Sequence, residues 1–373
     1  LSLDAAAADA TPAARAERPE TRRLLWVAGL VLLAGTLAKL PDLVGWLGGA
    51  VSEERFYTRN AGFLVLPMLA AYFLHYFARP RRLAFALAVL FAGSCVYINL
   101  LPEDTADTVV LAMLHLPFWL WGLLGLTYAG TYRRHPERRL RFLRYNGEML
   151  IYTALLLIAG GILSGLTFLL FQMIGLDIAD WYMENVGICG LAGAPIVATL
   201  LATTRYGVSQ RIAPIIARIF GPRALVTLVV YLGAMLTRAA SPFEDREMLA
   251  ALNVVLLAVL ALIVFSISEH QRTSRFTHYV GAGLLGVAVV LDLIALSAIV
   301  TRILDGLTPN RLAVLGANVL ILVHLALLLY RYVRLLAGKG ALEQIERAVT
   351  WYLVLYVGGA ALVTVGFPLF FGV

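Results

Sequence analysis

The chain has 373 residues, 61% of them hydrophobic and only 14% charged, with a net charge of +7 and a mean hydropathy of +0.83. A soluble domain carries about 25% charged residues, so a water-soluble globule is excluded, and continuous apolar runs exclude the alternating strands of a membrane barrel. The basic excess lies in loops, where topology and anionic lipid headgroups explain it better than nucleic acid does.

The expected fold is all-α, a polytopic bundle of about eleven spans in one helical domain over residues 23–373. Residues 1–22, rich in Ala, charge and Pro, read as a disordered cytoplasmic tail, without the basic, apolar, small-residue order of a cleaved signal peptide. The spans fall at about 24–48, 61–78, 83–101, 107–131, 148–172, 184–204, 223–240, 248–268, 279–302, 311–333 and 349–371. Each provides roughly the 20 apolar residues needed to cross the hydrocarbon. With the N-terminus inside, the inside segments hold 23 Lys and Arg and the outside segments 6. That asymmetry obeys the positive-inside rule and puts the C-terminus outside. Two segments, 137–149 and 211–223, read either as helices lying in the membrane plane or as basic lead-ins to the spans that follow. No convincing internal repeat is present.

Lys39 and Asp42 flank Pro41 in the first span and are expected to pair or to snorkel. The sixth span carries Gly187, Gly190, Gly193 and Pro195. Small residues at that spacing permit either close helix packing or a broken helix whose freed backbone binds an ion. Close packing is the simpler reading. Cys95 and Cys189 lie in apolar runs with no metal-ligand spacing and read as packing residues.

The sharpest signal is Asp292, in the middle of the ninth span. A carboxylate at that depth is expected to face the interior, to have a partner and to mark a function. The short 303–310 loop makes the ninth and tenth spans antiparallel neighbours. At about 1.5 Å per residue, Asp292 then lies at a depth between Asn318 and His324. An Asp–His or Asp–Asn contact can carry a proton or merely fix helix register. At the outer ends of the even-numbered spans, Arg59, Asn60, Glu184, Asn185 and Arg311 join Asn253, Thr308 and Asn310. They form either a vestibule leading toward Asp292 or a rim of loop charges.

The chain carries no phosphate-binding Gly-rich loop, GxSxG, HExxH or carboxylate-rich metal pattern. No catalytic residue, metal site or cofactor is therefore assigned. Expected partners are membrane lipids, with anionic headgroups on the cytoplasmic side, and a membrane-protein partner or a second copy; nucleic acid is not expected.

The runs ERFYTRNAGFLVLP (54–67), WYMENVGICGLAGAP (181–195) and DGLTPNRLAVLGANVLILVHL (305–325) resemble segments of bacterial membrane proteins grouped as domain of unknown function 4153. The resemblance implies a multi-pass protein of the bacterial cytoplasmic membrane and carries no activity with it. Three functions remain open: a transporter or permease with a coupling site at Asp292, a non-catalytic membrane scaffold or regulatory subunit, and a lipid-modifying enzyme using Glu184, Arg59 and Arg311.

Overall fold

The structure is a computed structural model that describes residues 20–46, 52–102, 106–130, 136–173, 176–204, 221–233, 235, 243, 246–268 and 275–372. Residues 1–19 of the expected tail and 211–220 of the second lead-in segment lie outside these. Residues 20–22, expected in the tail, already belong to the first helix.

The described residues are helical and contain no strand. The elements are α1 (Glu20–Ala38), α2 (Leu40–Trp46), α3 (Glu53–Tyr76), α4 (Arg81–Leu100), α5 (Asp107–Ala129), α6 (Pro136–Met173), α7 (Ala179–Thr204), α8 (Gly221–Gly233), α9 (Arg246–Ser268), α10 (Arg275–Leu304), α11 (Pro309–Leu336) and α12 (Leu342–Phe371). Eight of them, α4 to α7 and α9 to α12, are long and apolar enough to cross a membrane. The protein is therefore a polytopic helical membrane protein. The remaining three expected spans coincide with α1 plus α2, with α3 and with α8. The first is interrupted at Lys39, one residue ahead of α2, where Pro41 has no N–H to give. In α3 the carboxylates Glu53 and Glu54 and the guanidinium of Arg59 occupy the first two turns.

Of the two readings of 137–149, the helix lead-in holds, but its charges are not all solvated: Arg139 is buried and donates to the Thr350 carbonyl at 2.8 Å. Residues 137–149 lie in the first turns of α6, whose 38 residues run on without a break. At 1.5 Å per residue the helix is about 57 Å long, well beyond the roughly 30 Å of hydrocarbon. Its basic start therefore projects past the apolar layer. The apolar part of α6 is almost wholly exposed, as a lipid-facing helix would be.

The chain gathers into two compact units. One comprises residues up to 101 with 120–131 and 145–206; the other comprises 102–119, 132–144 and 207–373.

In the first unit, α1 packs on α7 and on α3. Only a side chain as small as hydrogen fits at Gly193, where a Cβ would lie 2.9 Å from Val31 Cγ1. A Cβ at Gly35 would likewise meet Cys189 Sγ at 3.2 Å, so Cys189 is a packing residue. Close approach, not a broken helix, is thus what Gly193 provides. Gly190 has nothing within 4 Å of its Cβ position, and Gly187 meets only the side chain of its own neighbour Met183. A π-helical turn does interrupt α7 at Met183–Gly187. Lys39 pairs with Asp42 and donates to the Glu184 carbonyl in that turn at 3.0 Å.

In the second unit, α10 and α11 form the most extensive contact, flanked by α9 and α12. Gly281 meets Tyr332 at one end of the α10–α11 pair, and Arg311 binds the Arg302 carbonyl at the other. The two helices are therefore antiparallel in constant register. α11 and α12 pair in the same way, with Leu320 against Gly359 and Ala313 clustered with Val363, Phe367 and Leu111. A second π-helical turn, Leu362–Gly366, lies in α12.

Candidate functional site

Three chemically distinct places come out of the expected site residues, two in the second unit and one in the first.

The register of α10 against α11 sets Asp292 level with Ile321, between Asn318 and His324 as the helical rise predicts. All three are buried: Asp292 is 0% exposed and Asn318 and His324 are 1%. The expected contact to Asp292 is nevertheless not made. Both of its carboxylate oxygens are buried without a hydrogen-bond partner among the described residues. The reason is the direction His324 takes. Its Nδ1 lies 2.9 Å from the Tyr356 hydroxyl, and its ring stacks on Tyr352 with centroids 4.2 Å apart and planes 1° from parallel. The imidazole is thus held by α12 instead of α10, and its Nε2 is left buried without a partner among the described residues. The Nδ2 of Asn318 is buried and unpartnered there as well.

One layer of this bundle therefore holds a carboxylate, an imidazole nitrogen and an amide NH2 that have no partner among the described residues. Burying one such polar group costs about 1–3 kcal/mol, and a bare charge far more. Groups left this way in a helix interior are characteristic of a place where a proton, ion or water resides. Sequence reasoning missed Tyr352 and Tyr356. Their signal was the four-residue spacing that puts both on one face of the last span. It also missed Thr364, whose buried hydroxyl has no partner among the described residues. In a regular helix a threonine hydroxyl commonly bonds the carbonyl four residues back, as Thr127 does to Leu123. Thr364 lies in the π-helical turn instead.

The second place is a cavity of about 360 Å³ between α5, α9, α10 and α11. Asp107, Arg246, Asn253, Arg302, Asn310 and Arg311 line it with Thr308. Arg311 Nη1 binds the carbonyls of Arg302 at 2.5 Å and Gly306 at 2.6 Å. The Thr308 hydroxyl caps α11 by accepting from the Arg311 amide. Arg311 therefore both fixes the α10–α11 loop and faces the cavity. Ile299 is the lining residue of α10 nearest Asp292. Seven residues separate them, about 10 Å along the helix. A further cavity, of about 320 Å³, lies toward the other end of α10 and reaches as far as Leu284. Eight residues, about 12 Å, separate Leu284 from Asp292. The Asp292 layer thus lies between two cavities along a single helix.

The remaining expected residues belong to the first unit. Arg59 is 1% exposed and its Nη1 donates to the carbonyls of Ile98 at 2.9 Å and Leu101 at 2.8 Å. These are C-terminal carbonyls of α4 that lack a helical partner, so Arg59 closes that helix end. Next to it, Asn60 and Asn99 exchange amide bonds of 3.0 and 2.8 Å between α3 and α4. Asn185 Nδ2 bonds the Trp181 carbonyl one turn back, and Glu184 is exposed. The structure therefore does not bring Arg59, Asn60, Glu184 and Asn185 together with Asp292, Asn318, His324 and Arg311 within one unit. Among the described residues no group of three His, Cys, Asp or Glu side chains is arranged to hold a metal.

No family model matches the chain, and neither curated proteins nor solved structures give a match.

Proposed function

We propose that this protein is a transporter or permease of the bacterial cytoplasmic membrane, with Asp292, His324 and Asn318 as a proton- or cation-coupling site near the membrane midplane. The reading rests on one observation: the fully buried Asp292 carboxylate has no hydrogen-bond partner among the described residues, in a layer that also leaves His324 Nε2 and Asn318 Nδ2 open. A carboxylate in this setting must be neutralised by a proton or a cation. A group that gains and loses its neutralising partner is what coupling requires. Cavities that end about 10 and 12 Å along α10 on either side of Asp292 favour this reading, since alternating access needs an approach from each side.

In this reading the chain has about eleven spans, with α1 plus α2, α3 and α8 joining the eight longer helices. The N-terminus lies inside and the C-terminus outside, as the 23 to 6 division of basic residues favours. The cavity lined by Arg311 then opens outward. Membership in the domain of unknown function 4153 group is part of the same proposal and rests on the three runs named above.

Water access at position 292 tests it. Cys95 and Cys189 are replaced by Ala, Asp292 by Cys, and membrane vesicles of each orientation are treated with a membrane-impermeant thiol reagent. Labelling from at least one side, abolished when a permeant alkylating reagent is applied first, is the expected result. A folded protein that resists labelling from both sides would make Asp292 a sealed structural group and end the transporter reading.

A further inference from the structure

The cavity at the Arg302 end of α10 has a charge pattern that selects among solutes. Among the described residues three arginines, Arg246, Arg302 and Arg311, line it against one acidic residue, Asp107. The elements converge there in a particular sense. Asp107 is the first residue of α5, Arg246 the first of α9, and Asn310 and Arg311 lie in the first turn of α11. Three helix N-termini, each with the equivalent of about half a positive charge, thus meet around one cavity. Among the residues lining the cavity the C-terminal end of one helix is present, that of α10, and the end of α12 lies next to Asp107, its Gly372 carbonyl accepting from the Thr108 hydroxyl at 2.9 Å. The α10 end carries Arg302, which offsets its negative end.

Donors remain available. Arg311 uses Nη1 for two carbonyls, while its Nη2 and Nε make no hydrogen bond among the described residues. About two turns along α9 from Arg246, Asn253 lines the cavity with its side-chain oxygen buried and unpartnered among the described residues. That amide can offer a ligand either its carbonyl or its NH2. The volume, about 360 Å³, is at the small end of ligand cavities.

We infer that this cavity binds a small organic anion carrying a carboxylate or phosphate group, held by Arg246, Arg302 and Arg311 with Asn253 at its floor. The inference deepens the transporter reading and rests on it for the sense of the bound molecule as a transported substrate. An anion taken up beside a site that loads a proton or cation gives a pair of reduced net charge, which is far less costly to carry through the hydrocarbon than the anion alone.

Thiol probes of opposite charge test this binding. Ala250 lines the cavity and is exposed. In the full-length protein with Cys95 and Cys189 replaced by Ala, Ala250→Cys is reacted with an anionic and with a cationic methanethiosulfonate. Each rate is divided by that reagent's rate with a free thiol. We expect the anionic reagent to be favoured at least fivefold, the preference to collapse in Arg246→Gln combined with Arg302→Gln, and succinate or inorganic phosphate to slow labelling. Equal normalised rates, or a preference for the cation, would overturn the inference. So would an anionic preference that neither succinate nor phosphate reduces, since the field would then exist without a binding site. Labelling at 250 does not depend on access to 292, so the two readings fail separately.

Discussion

His324 and Tyr356 face one another across α11 and α12, imidazole Nδ1 to phenol oxygen at 2.9 Å, while Tyr352 stacks against the same ring. This clamp turns His324 away from Asp292 although the two lie nearly level. It leaves the anticipated Asp–His pair as two groups that do not bond one another.

If the clamp holds the imidazole, Tyr356→Phe removes one bond and leaves Nδ1 buried and unsatisfied. A loss of about 1–3 kcal/mol in stability is expected, read as a lowered midpoint of thermal unfolding in detergent. Replacing both partners, His324→Leu with Tyr356→Phe, is expected to recover most of it. Full stability in the single variant would show that the ring is held by stacking alone.

Asp292 provides the opposite sign. A structural carboxylate destabilises when removed, but one buried without a partner is expected to stabilise when replaced by an apolar group of similar size. Asp292→Leu should raise stability by about 1–4 kcal/mol, while any solute flux coupled to a pH gradient in proteoliposomes is lost. A drop in the unfolding midpoint would mean that the carboxylate has a stabilising role.

At Arg59 a single nitrogen, Nη1, donates to both the Ile98 and Leu101 carbonyls, and a lysine ammonium, one bond shorter in reach, does not meet them without a shift of backbone. Arg59→Lys is therefore expected to rescue little of the roughly 1.5–3 kcal/mol lost in Arg59→Met. Equal stability of the lysine variant and the parent would refute the two-carbonyl cap. Solute affinity is expected to stay unchanged in folded Arg59→Lys, because Arg59 serves the end of α4.

The contact of α1 with α7 can be probed through Gly193. Gly193→Ala drives a methyl to within 2.9 Å of Val31 Cγ1, an overpacking expected to cost about 1–3 kcal/mol. Val31→Ala in the same chain is expected to restore stability to near the parent. Additive losses in the double variant would place the strain elsewhere.

Membrane class, the helical character and the positions of most spans follow from the sequence, because long apolar runs in lipid have almost no alternative to the helix. The depth of Asp292 relative to Asn318 and His324 follows as well, since a short loop and a fixed rise per residue set the register of neighbouring helices. Rotation about each helix axis does not follow. The hydropathy of α10 is nearly the same on all sides, so nothing in the chain's periodicity says which neighbour a given side chain meets. That rotation turned His324 toward Tyr352 and Tyr356 and left Asp292 alone. It also buried Arg59 against the end of α4 and brought Arg246, distant in the sequence, to one cavity with Arg302 and Arg311, which a short loop already keeps together. Depth in the bundle is thus set along the chain, residue by residue. Which residues meet at a given depth is set by packing between helices, through close contacts such as Tyr332 on Gly281 and Leu320 on Gly359.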